Sequence, residues 1–261
     1  MDLGPSAIQK FWGFNFIRVG LGIRLVVAED YEELSRMASQ YLADFIRRPR
    51  VVLGLATGAT PIGTYRELVR MYREGLDFGG VVTFNLDEFA LPPDHPASCR
   101  RFMEEHLFRW VNIKRENIHF LDGMAEDPRG ECERYEEEIR REGGIDLQLL
   151  GIGRDGHIAL NGPGTPFDSR TRPVSLPDRM RSELARSLGS PDEVPHWGLT
   201  VGIATIMEAK EILLLASGEE KAEAVAKALE GPVTPELPAS VLQLHPRCTF
   251  IVDRACASGF R

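Results

Sequence analysis

The sequence predicts an α/β fold, a single domain built on a mostly parallel sheet with helices on both faces. Three observations carry this. Short apolar runs, Val51–Leu55 and the body of Glu211–Ala216, suit strands covered on both sides. Stretches with helical spacing alternate with them. Turn-forming residues punctuate the boundaries, and 261 residues are enough for one sizeable core.

Ile23–Val27 reads as the first strand of the domain. Asp30 and Glu33 supply an N-cap and a reciprocal acid. Leu34, Met37, Ala38, Tyr41, Leu42 and Phe45 then follow helical spacing until Pro49 stops the helix. Val51–Leu55 feeds the turn Ala56-Thr57-Gly58-Ala59-Thr60-Pro61, where Thr60 suits an N-cap and Pro61 the first helical position. A strand, small-residue turn and helix start can aim backbone N–H groups at an anion, or simply connect two elements. The turn lacks the Gly-Lys-Ser/Thr ending of a Walker loop.

Val81–Leu86 is the next strand. It ends in Asp87-Glu88-Phe89, two acids where open α/β sheets place their ligands, or a solvated pair in a loop. Ser98–Val111 reads as a helix, Asn117–Leu121 as a short strand and Glu131–Arg141 as a charged surface helix. The run Ile145–Leu150 enters Gly151-Ile152-Gly153-Arg154-Asp155-Gly156-His157-Ile158-Ala159-Leu160-Asn161. Here Asp155 can hold one nitrogen of His157 and leave the other to move a proton. The bland reading is a glycine-rich turn with a surface histidine.

Asp178–Leu188 reads as a helix with Arg179, Arg181 and Arg186, basic residues that either close over an anion or face solvent. Ser217–Lys221 turns into a helix that Gly231-Pro232 stops, and Cys248–Val252 is the last strand. Lys221 sits at a helix start, unfavourable against the dipole unless an anion is near.

The formal net charge of −8, without a long basic run, argues against a nucleic-acid partner. No stretch approaches the roughly 18 uninterrupted apolar residues of a membrane span. Cys99, Cys132, Cys248 and Cys256 have neither zinc nor disulfide-framework spacing, so free thiols and a cytoplasmic location are expected, with no metal. Residues 1–22, with the aromatic run Phe11–Ile17, lack the marks of a signal peptide. They read as an N-terminal extension before a domain at 23–261, open to disorder, a partner-binding role or an artefact of the start site.

The stretches Gly54–Pro61, Val82–Phe89, Gly151–Asn161 and Ser169-Arg170-Thr171-Arg172 together resemble the glucosamine-6-phosphate deaminase (isomerase) family. Leu199–Met207 and Ser217–Lys221 extend the resemblance, which covers Ile23 to Val252 in order. The resemblance implies a Rossmann-like fold, a phosphosugar substrate, no cofactor, and conversion of glucosamine 6-phosphate and water to fructose 6-phosphate and ammonia. It implies that Asp87 moves a proton between C2 and C1, and that His157, oriented by Asp155, assists ring opening. Thr57, Gly58, Ala59 and Thr60, with Arg186 and Lys221, would hold the phosphate, with Glu88 a further substrate contact. A segment of about 173–188 would be a lid. Oligomeric state stays open between monomer and homo-oligomer.

Two departures stand out. The family usually continues Asn-Glu-Pro where this chain has Asn161-Gly162-Pro163, so His157 loses a carboxylate partner and slower ring opening is expected. Ala59 replaces the usual Gly or Ser and requires an unstrained φ. The first departure leaves two alternatives open: a 6-phosphogluconolactonase-like hydrolase, sharing a similar Gly-x-Gly-x-Asp-Gly-His stretch, or a non-catalytic sugar-phosphate sensor. The deaminase-like Asn85–Phe89 stretch speaks against the lactonase.

Overall fold

The computed structural model describes residues 8–11, 14–19, 22–188 and 194–259. Its strands are β1 (Ile8–Phe11), β2 (Phe14–Val19), β3 (Ile23–Ala28), β4 (Val51–Leu55), β5 (Val81–Asn85), β6 (Asp87–Phe89), β7 (Ile118–His119), β8 (Leu147–Gly151), β9 (Arg172–Ser175), β10 (Trp197–Thr200), β11 (Ile212–Ala216) and β12 (Cys248–Asp253). The helices are α1 (Tyr31–Ile46), α2 (Ile62–Arg73), α3 (Cys99–His106), α4 (Pro128–Arg141), α5 (Asp178–Leu188), α6 (Ile203–Met207), α7 (Ala222–Glu230) and α8 (Arg254–Ala257).

Seven strands run parallel in the order β3-β12-β11-β8-β4-β5-β7. Their side chains alternate between two apolar layers, as the two-residue strand period requires. Ile212 and Leu214 of β11 join the layer with Tyr135 of α4, Ile203 of α6 and Val225 of α7. Leu213 and Leu215 join the other layer, with Leu42 of α1, Leu68 of α2 and Met103 of α3. This double covering explains why the strands read as continuous apolar runs.

Local chemistry sets the helix starts. Asp30 accepts from Glu33 N at 2.8 Å, whereas the Glu33 carboxylate reaches back to Glu29 N at 2.6 Å, one residue beyond the expected box. Asp127 caps α4 and Pro128 opens it, so this helix starts three residues before the expected Glu131. The expected 98–111 helix is shorter: Ser98 caps it, but Leu107 leaves helical geometry (φ −141°, ψ −63°) and a separate 3₁₀ turn covers Phe108–Trp110.

Part of the N-terminal extension has regular structure. β1 and β2 form an antiparallel pair, and β2 continues antiparallel onto β3 with Ile17 opposite Leu25. A second, three-stranded antiparallel sheet, β6-β10-β9, was not expected from the sequence. Its strands have three or four residues each and too little alternation to read as strands.

The chain reverses its direction of growth across the sheet between β4 and β8. From β4 it builds outward to β5 and β7; from β8 it builds the other way to β11 and β12. At this junction Gly54 pairs with Gln148, and a Cβ on Gly54 would lie 2.0 Å from the buried Gln148 amide oxygen. Gly54→Ala should therefore lose about 1–3 kcal/mol of stability. Urea denaturation should show a lower midpoint with an unchanged slope.

Candidate active site

The reversal at β4 and β8 opens a crevice at their carboxyl ends, the place where open α/β sheets bind ligands. A cavity of about 1010 Å³ lies there. Its wall contains Thr57, Gly58, Ala59, Thr60, Asp87, Asp155, His157, Arg186 and Lys221. These are all of the site residues expected from the sequence except Glu88.

One end suits an anion. Gly58 adopts φ +98°, which an L side chain would resist, while Ala59 stays out of the left-handed region as its side chain requires. The backbone N–H groups of Gly58, Ala59 and Thr60 meet no acceptor among the described residues. The Tyr31 hydroxyl braces the turn: it lies 3.2 and 3.1 Å from the carbonyls of Ala59 and Thr60 and accepts from Gly63 N at 2.8 Å. Thr60 is not the N-cap it was expected to be. Pro61 takes that position, and the Thr60 hydroxyl instead accepts from Lys221 Nζ at 2.8 Å. Burial lowers the Lys221 pKa, with the nearby positive charge of Arg154 acting in the same direction. Arg154 and Tyr31 line the cavity although neither was singled out from the sequence. Arg154 stood in the central motif without a partner pattern, and Tyr31 is an ordinary helix residue 28 positions before the turn it braces.

The other end carries the titratable groups. Asp87 follows β5 by two residues and opens β6, where it lies opposite Thr200 of β10. Its Oδ1 accepts from Thr200 Oγ1 at 2.5 Å and from Leu160 N at 3.2 Å. Burial pushes its pKa up to about 6, against the pull of these two donors.

Glu88 points the other way, as the alternation along a strand dictates. It is 3% exposed, and its carboxylate accepts from Phe89 N, Ser98 Oγ, Cys99 N and Arg100 N at 2.9–3.0 Å. The expectation of a substrate contact is corrected: Glu88 anchors the start of α3 and does not reach the cavity.

His157 and Asp155 form a dyad, with Nδ1 2.6 Å from Asp155 Oδ1. This hydrogen bond holds the Asp155 pKa down at about 2. With Nδ1 engaged, Nε2 has no partner among the described residues and is available for proton transfer. Gly153 is required beneath the pair, since a Cβ there would lie 2.1 Å from His157 Cε1. Just beyond, Ala159 adopts φ +54°, the one non-glycine residue with positive φ among those described. A Cβ added at Gly162, in the cavity wall, would meet nothing within 4 Å. The described residues contain no cluster of three metal-ligating side chains.

An anion cradle, a carboxylate with raised pKa and an imidazole–carboxylate pair around one cavity define a small-molecule site suited to proton transfers on an anionic substrate. The chain belongs to the family described as glucosamine-6-phosphate isomerases/6-phosphogluconolactonase, which matches residues 28–250. It is 46% identical over 239 residues to a glucosamine-6-phosphate deaminase of Thermoanaerobacter pseudethanolicus, covering 90% of this chain and 94% of the relative. It is 57% identical over 216 residues to glucosamine-6-phosphate deaminase 1 of Giardia intestinalis, covering 81% of each. A solved structure described as a monomeric glucosamine-6-phosphate deaminase superposes with TM-score 0.88 at 47% identity, covering 90% of this chain and 99% of that one. A 6-phosphogluconolactonase from Trypanosoma cruzi shares the fold, with TM-score 0.75 at 21% identity over 92% of this chain and 97% of that one. No described helix is long and apolar enough to cross a membrane.

The raised Asp87 pKa has a consequence for stability. The folded protein holds this proton up to about pH 6, while the unfolded chain releases it near 3.8. Between these values the folded state binds more protons, so the group's contribution falls as pH rises. Asp87→Asn does not ionise and should be more stable than wild type above pH 6, by on the order of 1–2 kcal/mol given partial access to solvent. The advantage should vanish below pH 4. Thermal denaturation of both proteins at pH 4 and pH 8 checks this.

Proposed function

We propose that this protein converts glucosamine 6-phosphate and water to fructose 6-phosphate and ammonia. The observation that carries the reading is the Asp87 carboxylate, poised near neutral pKa, on the same cavity as the His157–Asp155 pair and the anion cradle. The named activity of the similar deaminases supports it.

The phosphate sits against the N–H groups of Gly58, Ala59 and Thr60, with Lys221 and Arg186 supplying charge. Held there, it contributes binding energy and fixes the sugar against the reacting groups. His157 takes the proton from the anomeric hydroxyl and returns one to the ring oxygen, opening the ring to the aldehyde. Asp87 then removes the C2 proton while the aldehyde oxygen takes one up from water, giving an enolamine, and delivers its proton to C1 as the amine nitrogen gives one back to water. The resulting C2 imine takes up water and releases ammonia, leaving the ketone. A carboxylate with a pKa near 6 both accepts and returns a proton at neutral pH. The α5 segment, which brings Met180 and Arg186 to the cavity, acts as the lid. The four cysteines are free and buried, in keeping with a reducing, cytoplasmic setting.

Release of ammonia and fructose 6-phosphate from glucosamine 6-phosphate tests the reading directly. Equal yields, with Asp87→Asn reduced at least about 1,000-fold, are expected for a base at the reacting carbon. No product despite ligand binding would overturn it and turn attention to a sugar-phosphate lactone.

The gap at Gly162 has its own expected effect. The open space there accepts a carboxylate side chain, so Gly162→Glu should fold normally and raise the rate of ring opening by about 10-fold or more. Superimposable pH–rate profiles for the two proteins would remove any role for this position.

A further inference from the structure

We propose that Thr200 is a positioning residue for the proton-transferring carboxylate: its hydroxyl ties Asp87 Oδ1 to the loop after His157 and leaves Oδ2 to carry the proton. The inference rests on Asp87 being the base, as proposed above.

Thr200 makes a junction between three parts of the site. It stands opposite Asp87 in the antiparallel pair of β6 and β10, close enough for a direct side-chain bond. Its hydroxyl donates to Asp87 Oδ1 at 2.5 Å, much the shorter of its two acceptor contacts, Val201 O lying at 3.4 Å. The same oxygen lies 3.1 Å from Leu160 N, which is also 3.2 Å from Asp87 Oδ1. The carboxylate, the hydroxyl and the amide therefore form a closed three-membered set. Leu160 follows the left-handed Ala159 and is three residues past His157, so the set couples the base to the loop that carries the dyad.

The two oxygens of Asp87 are thereby made different. Oδ1 has both donors, and Oδ2 has none among the described residues. The second oxygen is the more basic one and the free one. Without Thr200 the carboxylate would also be able to rotate, and both oxygens would compete for the substrate proton. Thr200 itself is completely buried, so its hydroxyl has no water to turn to.

Other titratable groups act on Asp87 electrostatically: His157 from the dyad loop, Glu88 on its own strand but turned away, Cys99 of α3 and Tyr135 of α4. None of these donates a hydrogen bond to the Asp87 carboxylate in this structure, so removing the Thr200 hydroxyl leaves Leu160 N as the remaining donor.

The test compares wild type with Thr200→Val, which keeps shape and removes the donor, and Thr200→Ser, which keeps the donor. Two readouts are needed: the pH profile of glucosamine 6-phosphate turnover, and a ¹³C titration of the Asp87 carboxyl, assigned by its loss in Asp87→Asn. In Thr200→Val the Asp87 midpoint should rise by about one pH unit, because a donor to the charged form is gone. Its kcat should fall about 10- to 100-fold while KM changes about 2-fold or less. Thr200→Ser should restore both. If Thr200→Val fails to fold, Thr200→Ala serves the same titration. An unmoved carboxyl midpoint, or a Thr200→Ser variant as impaired as Thr200→Val, would overturn the proposal. If wild type gives no fructose 6-phosphate, the activity reading falls, while the carboxyl titration still decides the role of Thr200.

Discussion

The reversal of strand order between β4 and β8 is the constraint on which the site depends. Parallel strands joined by helices cover both faces of the sheet, so a ligand can enter only at the strand ends. Where neighbouring strands send their helices to opposite faces, no connection closes the gap above them. Here the two sides of that gap supply complementary chemistry. β4 brings a turn whose amides meet no acceptor among the described residues, and β8 brings the dyad loop. The small β6-β10-β9 sheet then sets Asp87 across from the dyad.

Buried acids in this protein divide by how completely they are hydrogen-bonded. Glu88 accepts four bonds from the start of α3 and its own strand. Glu136 of α4 accepts from Thr171 N, Thr171 Oγ1 and Thr205 Oγ1, and holds the Ser169–Arg172 stretch against α6. Asp253 accepts from Ser217 Oγ at 2.5 Å, from Gly218 N and from Cys256 N, and so fixes the loop leading to Lys221. Each of these carboxylates is spent on architecture. Asp87, next in sequence to Glu88, keeps one oxygen free at the cavity. A carboxylate left partly unsatisfied costs stability, and the proposed role of Asp87 as a base requires that cost.

Much of the scaffold was legible because strand burial on both faces leaves an unambiguous apolar run. Val51–Leu55 was read to the residue, and the start of the Asp178–Leu188 helix likewise. The dyad was legible because Asp155 and His157 are two residues apart, within one turn. What failed were features set by contacts distant in sequence. Glu88 could not be told from Asp87, because which of two adjacent strand residues faces the cavity depends on the register with β10. Thr60 looked like a helix cap, because its partner Lys221 lies 161 residues away. Thr200 carried no local signal, since its role exists only once β10 pairs with β6, 113 residues apart in the chain.

Gly162 withdraws a side chain from the dyad end, and Arg154 adds a cation near Lys221. Both positions lie in the one loop that also holds Ala159 in a left-handed conformation, which costs about 1–2 kcal/mol for a residue with a Cβ. The strain is held by the Leu160 amide, fixed between Asp87 and Thr200, and by Asn161, whose amide donates to Ile158 O at 3.1 Å and Val201 O at 2.9 Å. Arg172 donates to Asn161 Oδ1 at 2.8 Å and completes the brace. A loop pinned this firmly tolerates changes in what it presents without losing its path. Substitution at positions 154 and 162 can therefore alter charge and space in the cavity, while the Asp87 carboxylate and the His157 loop stay held by the residues behind them.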